Sequence, residues 1–535
     1  MPILCPAARP TPRARMHGAR LCARAAAIAA IVTACAALAF APPALAAKKK
    51  HQRLHPHTAA AAVAVSRAPL PASVLVALAR AKVPASDISV VVERVGDPTP
   101  LVAWNADRPM LPASTMKLVT TFAGLSILGP DYRWRTSAYA DGTVDPDGTL
   151  HGSLYIKGTG DPKLVPEELI DLVDKIRKAG IRKIDGGLVL DKSYFAASTR
   201  DLPPFDDDAS APYNVGPDPL LYAFKALTFT VTPNDNGTVA VDVLPPLDKL
   251  SISNQLVESG GSCGAAASAA HPALTTGADG IVTASFAGDY PLRCGPSTTN
   301  IAILDHSTFF ARGFLALWKQ QGGTFDGQIT EGKVPTAARL VAVHHGPVLG
   351  SIVYDINKFS NNVMARNLFL TIGAAGTGAA GTGAASAGAV AGKPPATTEQ
   401  SSRVIHAFLQ KSGIPMPDLA LDNGSGLSRE EHVSARSLAA LLQAANASPV
   451  GQSFIDSLPI AGIDGTMRNR LTNADVLGNA HIKTGTLRDV RAIAGYVAAA
   501  DGTSYVVVSF INDEHAEGAR AAHDSLLEWV YANAH

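Results

Sequence analysis

The stretch LPASTMKLVTTFAGLSILG, residues 111–129, decides how the rest of the chain is read. Met116, Val119, Phe122, Leu125 and Leu128 recur at steps of three and four, the period of a buried helix, and Gly129-Pro130 stops it. Ser114 and Lys117 stand three residues apart near its start, so both side chains project from one face and the amine reaches the hydroxyl. A serine hydroxyl is a weak nucleophile until a neighbouring base takes its proton. Lysine serves as that base when burial and nearby positive charge disfavour its ammonium form. A helix N-terminus adds N–H groups aimed at developing negative charge. The spacing alone is weak, since roughly one or two Ser-x-x-Lys pairs arise by chance in a chain like this. A helix-terminal serine beside a surface lysine is the plain alternative. Against it, Lys117 lies among Met116, Leu118 and Val119, where a solvated lysine is out of place.

Upstream, the pattern predicts a helix over Ala72–Ala81 and strands in SVVVERV (89–95) and LVAWN (101–105). Downstream the texture changes. Between 138 and about 340, short apolar runs such as GSLYIKG, GGLVLD, FTVTP and VAVDVLP are cut by Gly, Pro, Asn and Asp. One helix, Pro166–Lys178, interrupts them, and 257–300 reads mostly as loop. Helical texture returns in LGSIVYDINKFSNNVMARNLFLTIG (349–373). Residues 373–396 are Gly/Ala/Thr low complexity, too poor in large apolar groups to pack, and read as a surface excursion. Two helices follow, Gln400–Lys411 and Ser434–Ala445, on either side of LDNGSGLSR (421–429). The end reads strand (HIKTGTLR), strand (AIAGYVAAA), an Asp501-Gly502 turn, strand (SYVVVSFIN) and a helix from about Glu517 to Ala532. This order implies one α/β domain with a central antiparallel sheet built from both chain ends, 68–137 and 341–535, around an inserted β-rich region, 138–340, of two small units.

Two further motifs carry chemistry. Lys483-Thr484-Gly485-Thr486 presents a cation and two hydroxyls that suit a carboxylate. Its glycine lets a substrate backbone lie against the strand, and the N–H of Thr486 pairs with that of Ser114 as an oxyanion hole. An edge strand with a protective lysine explains Lys483 but not the Thr-Gly-Thr after it. Ser360-Asn361-Asn362 offers a hydroxyl to relay a proton and an amide to hold a peptide group, although by itself it is also a helix cap.

In the order Ser-x-x-Lys, Ser-x-Asn, Lys-Thr-Gly, these residues resemble the penicillin-binding protein and serine β-lactamase superfamily. The 242 residues between Lys117 and Ser360 are a long insert. It resembles that of the class C, low-molecular-mass penicillin-binding proteins of the D-Ala-D-Ala carboxypeptidase/endopeptidase type, peptidase family S13. LYIKGTGDPKL (154–164), LDNGSGLSR and AGIDGTMRNR (461–470) match that family too. The resemblance implies a transpeptidase-like α/β fold and a serine DD-peptidase acting on peptidoglycan stem peptides, with β-lactams as covalent inhibitors. It implies Ser114 as nucleophile, Lys117 as base and Ser360 as proton relay, with Asn362, Lys483, Thr484, Gly485 and Thr486 positioning substrate. Arg429 would meet the acidic stem peptide and Asp191 its amino group; a solvated surface charge is the alternative for both. A β-lactamase and a non-catalytic wall-binding scaffold are the competing readings. The insert, the lack of an obvious deacylating glutamate motif and the three intact motifs stand against them.

The first 46 residues read as a secretory leader for export to the periplasm: Arg13, Arg15, Arg20 and Arg24, an apolar run Ala25–Ala41, then Ala44-Leu45-Ala46. That run is short for a membrane span, which needs about 20 apolar residues. Met16 is an alternative start. Residues 47–67 form a basic, Ala-rich tether able to touch a membrane surface, and its His51, His55 and His57 read as a solvated tail. Cys5, Cys22 and Cys35 go with the leader, leaving Cys263 and Cys294 as a disulfide pair. A net charge of +1 excludes a whole-chain field for nucleic acid. No His-Glu-x-x-His occurs and no metal or cofactor is implied.

Overall fold

The computed structural model describes residues 69–200, 203–376 and 394–534. The expected leader (1–46), the tether (47–67) and most of the Gly/Ala run (377–393) lie outside them. The chain opens with α1 (Ala72–Ala81), β1 (Ile88–Arg94) and β2 (Pro100–Trp104). The stretch 111–129 departs from a uniform helix: Ala113–Met116 form a 3₁₀ turn, and α2 (Lys117–Leu128) begins at the lysine. In a 3₁₀ turn, side chains three apart eclipse, which brings Ser114 and Lys117 closer than an α-helix would.

Among the described residues, the insert has four sheets of its own. Its elements are β3 (Arg133–Ala140), β4 (Leu154–Gly158), α3 (Pro166–Lys178), β5 (Leu188–Asp191), β6 (Ala226–Pro233), β7 (Val239–Leu244) and β8 (Leu250–Val257). Then come α4 (Cys263–Ala269), β9 (Ala273–Thr276), β10 (Val282–Asp289), β11 (Ser297–Ala302), α5 (His306–Gln320), β12 (Ile329–Glu331) and β13 (Arg339–Val348). A five-stranded sheet runs β12-β5-β4-β3-β13, beside three-stranded sheets β7-β6-β11 and β8-β10-β9 and a small four-stranded sheet of two- and three-residue strands. β3 and β13 lead into and out of the insert side by side, antiparallel, so the expected boundaries at 137/138 and 340/341 fall inside paired strands.

Two expectations for the insert are corrected. Residues 257–300 are not mostly loop: they hold α4, β9, β10 and most of β11, because pairing such as Thr298 with Thr230 orders strands whose small polar residues carry little pattern. A second long helix, α5, was not expected; Asp305 caps it by accepting from Thr308 N, and Phe309, Phe310, Phe314 and Trp318 bury one face. Cys263 and Cys294 are joined, with Cα atoms 5.5 Å apart.

After the insert come α6 (Leu349–Phe359), α7 (Asn362–Ala375), α8 (Thr398–Lys411), α9 (Ala435–Ala447), β14 (Ala480–Leu487), β15 (Val490–Ala498), β16 (Ser504–Asn512) and α10 (Arg520–Asn533). The Gly/Ala run is shorter than the sequence suggested, since α7 continues through Gly373 to Ala375, and Ala396 is buried and bridged to Phe195. The two chain ends meet in one antiparallel sheet, β14-β15-β16-β1-β2, with Val90 opposite Ser509 and Val92 opposite Val507. Alternation decides what each face packs against. Val506, Val508 and Phe510 join Phe122, Ile352, Phe369 and Leu438 on one side. Tyr505, Val507 and Ile511 join Leu78, Leu526 and Val530 of α1 and α10 on the other. The sheet is therefore buried on both faces, and α2, α6 and α7 bring the motif residues to the edge strand β14.

Candidate active site

The 3₁₀ turn, α2, α6, α7, β14 and the 421–429 loop meet at this edge. Ser114 lies in the 3₁₀ turn and is partly exposed, whereas Lys117, one turn on, is fully buried. Lys117 Nζ is 2.9 Å from Ser114 Oγ, 2.6 Å from Asn362 Oδ1 and 2.5 Å from the carbonyl of Ser425. The Asn362 amide is oriented by its Nδ2, which donates to Tyr213 O over 3.1 Å. The three contacts fit either form of the amine: an ammonium donates to all three oxygens, and a neutral amine donates to the amide and the carbonyl and turns its lone pair to the serine O–H. Burial first, then the positive charges of Lys483 and Arg366, hold the lysine well below its ordinary range; Glu431 acts the other way.

Lys483 is buried on β14, and its Nζ donates to Ser360 Oγ (2.8 Å) and Thr484 O (2.7 Å). Burial pushes it down to about 7. Ser360 ends α6 in a left-handed conformation, φ +59°, and Ala113 before Ser114 has φ +45°. Such backbone in non-glycine residues costs on the order of 1–3 kcal/mol and persists where packing imposes it. Thr484 Oγ1 donates to Thr466 Oγ1 over 2.8 Å, and Thr486 is exposed beside it. Gly485 and Gly426 allow the close approach: a Cβ on Gly426 would stand 1.8 Å from Ala113 O.

The structure thus gathers Ser114, Lys117 and Asn362 into one hydrogen-bonded set and Ser360, Lys483 and Thr484 into another, adjacent through Gly485 against Ser114 and the charge of Lys483 on Lys117. Arg429 stands at their rim, donating to Asp489 at 2.5 Å and lying 5.0 Å over the Phe205 ring. It lines a cavity of about 400 Å³ together with Phe205, Asp206, Arg366, Asp422 and Asn423. Exposed Arg488 faces Asp206 at 3.5 Å. Asp191 is not brought to either set: its buried carboxylate is taken by Lys157 (3.2 Å), the N–H and hydroxyl of Ser193 and the N–H of Val334, all within the insert. The charge offered to a substrate amine is therefore already engaged.

Sequence reading missed Ser425, Glu431 and Arg366. Ser425 was inside LDNGSGLSR, yet what it supplies is a backbone carbonyl, which no side-chain pattern advertises. Glu431 follows Glu430, and adjacent acids read as solvated surface. Arg366 lies four residues after Asn362 on α7, a helical spacing that was there to be used.

This chemistry has counterparts among known proteins. D-alanyl-D-alanine carboxypeptidase DacB of Haemophilus influenzae is 25% identical over 430 residues, covering 80% of this chain and 85% of that one. The D-alanyl-D-alanine carboxypeptidase of Actinomadura sp. strain R39 is 28% identical over 453 residues, covering 81% and 79%. The crystal structure of penicillin binding protein 4 (dacB) from Haemophilus influenzae superposes with a TM-score of 0.68 at 23% identity, covering 86% of this chain and 99% of that one, a likeness of fold. The family described as D-Ala-D-Ala carboxypeptidase 3 (S13) matches residues 70–532, across both chain ends and the insert, and the chain belongs to it.

Proposed function

We propose that the protein is a serine DD-peptidase of peptidoglycan, exported to the periplasm, whose nucleophile is Ser114. The observation that carries this reading is the set of contacts at the buried Lys117 Nζ, which holds the amine 2.9 Å from the Ser114 hydroxyl oxygen. Ser114 Oγ attacks the carbonyl of a terminal D-Ala-D-Ala bond or a D-amino-acid cross-link, and its proton passes to Lys117. The N–H groups of Ser114 and Thr486 receive the oxyanion. The C–N bond then breaks, Ser360 hands a proton to the leaving amine, and water hydrolyses the acyl-enzyme. Asn362, Lys483 and Thr484 hold the substrate, and Arg429 meets a stem-peptide carboxylate. A β-lactam acylates the same serine.

Digestion of pentapeptide muropeptides and cross-linked dimers by the mature protein tests this. Release of D-alanine or cleavage of dimers, lost in Ser114→Ala, is expected, together with a stable penicillin adduct. Rapid turnover of the drug without peptide cleavage makes the protein a β-lactamase, and binding to sacculi with neither activity makes it a scaffold.

A further inference from the structure

Glu431 is fully buried, and every hydrogen bond its carboxylate makes is to a backbone N–H of one short loop. Oε1 accepts from Asp422 N (3.2 Å), Asn423 N (3.1 Å) and Gly424 N (2.6 Å), and Oε2 from Gly426 N (2.7 Å). Burial holds the group above its ordinary range, and the backbone donors on both oxygens pull the other way, toward the ionised form. A lone buried carboxylate would be costly, so these N–H groups are what makes the charge tolerable.

The loop gathered in this way is pinned from two other sides. Thr120 Oγ1 of α2 donates to Gly424 O at 2.7 Å, and Asn423 Oδ1 accepts from Ser425 N (3.0 Å) and Oγ (2.6 Å). Gly426 presses on the turn that carries Ser114. The product of these restraints is one carbonyl, Ser425 O, aimed at Lys117 Nζ.

We propose that Glu431 is a positioning residue for the lysine base, holding the Ser425 carbonyl against Lys117 through the 422–426 backbone and supplying the negative charge that balances the cations around it. The proposal rests on the serine-peptidase reading. The charged groups facing Lys117 are Lys483 from β14, Arg366 from α7 and Glu431 itself; those facing Glu431 include Asp422 in its own loop. Because Glu431 favours the ammonium form of Lys117, neutralising it lets the lysine lose its proton at lower pH.

The test is the second-order rate of Ser114 acylation by a fluorescent penicillin, followed against pH in the mature chain and in Glu431→Gln, Glu431→Asp and, on the exposed neighbour, Glu430→Gln. In Glu431→Gln the plateau is expected to fall about 10²-fold, the scale of a misplaced reacting group, while the acid limb moves to lower pH. Glu431→Asp keeps the limb in place and recovers part of the rate; Glu430→Gln behaves as wild type. A Glu431→Gln profile equal to wild type overturns the proposal, and so does a lowered plateau with an unmoved limb, the mark of a merely structural role. Should Glu431→Gln not fold, Glu431→Asp decides: a reduced plateau with the wild-type limb supports the proposal, and a shifted limb overturns it. A wild type that forms no adduct at Ser114 overturns the peptidase reading and this proposal with it, a result recognisable without any variant.

Discussion

Gly485 on β14 lies against the backbone of Ser114: a Cβ at position 485 would stand 3.0 Å from Ser114 N and 2.7 Å from Pro112 O. The strand that carries Lys483 and the turn that carries Ser114 are thus held at a distance only a glycine permits.

Gly485→Ala is expected to push the two apart by a few tenths of an ångström or more. Acylation by penicillin should fall about 10²-fold, and the thermal melt, read by circular dichroism, should fall with it because the added Cβ also stands 3.0 Å from Ala492 Cβ on β15. Wild-type acylation in this variant would show that the contact does not set the geometry.

Lys483 is pushed by burial from 10.5 down to about 7. Between those values the unfolded chain holds a proton that the folded chain lacks, so the group's penalty is full below about pH 7 and relieved as pH rises. Wild type should gain stability relative to Lys483→Met from about pH 7 to about pH 10, by an amount on the order of a few kcal/mol. Urea titrations at several pH values measure the gap, and a gap that stays constant across this window speaks against a neutral Lys483.

Lys358, just before Ser360, is 2% exposed and donates to both oxygens of Asp464, at 2.8 and 2.6 Å. Asp464→Asn leaves that ammonium without its carboxylate. Loss of one partner of a buried pair costs 3–5 kcal/mol; with Asp464 one-third exposed, about 2 kcal/mol is expected by urea denaturation. Slower acylation should accompany it, since the same contact holds the end of α6. An unchanged midpoint would mean that water replaces the carboxylate.

The Cys263–Cys294 bridge closes a separation of 31 residues within the insert. Replacing both cysteines by serine should cost about 3–4 kcal/mol of the insert's stability through the freed unfolded chain, read as an earlier denaturant transition. Penicillin acylation in native buffer should stay at the wild-type rate, because neither cysteine contacts the group around Ser114. A large drop in acylation would instead tie the staple to the catalytic cleft.

Much of the site was legible because its chemistry is local. Ser114 and Lys117 are one turn apart, Lys483 to Thr486 are consecutive on a strand, and Ser360 to Asn362 span a helix junction, so spacing and residue type sufficed. The paired apolar periods of residues 88–104 and 480–512 likewise announced sheet strands at both ends. The insert was harder to read. Its strands are short and rich in small polar residues, and α5 sits in a region whose punctuation suggested only strands.

Sequence alone determined the pairing of Ser114 with Lys117, the order of the motifs and the split of one sheet between the chain ends, because helical and strand periods are properties of neighbouring residues. Only the tertiary structure decided which groups surround Lys117. The Ser425 carbonyl lies 308 residues away and the Asn362 amide 245, and Asp191 is absorbed by Lys157 and Ser193. Burial and proximity set whether a lysine is neutral and whether an aspartate is free, and both arise when distant segments pack, which no local pattern encodes.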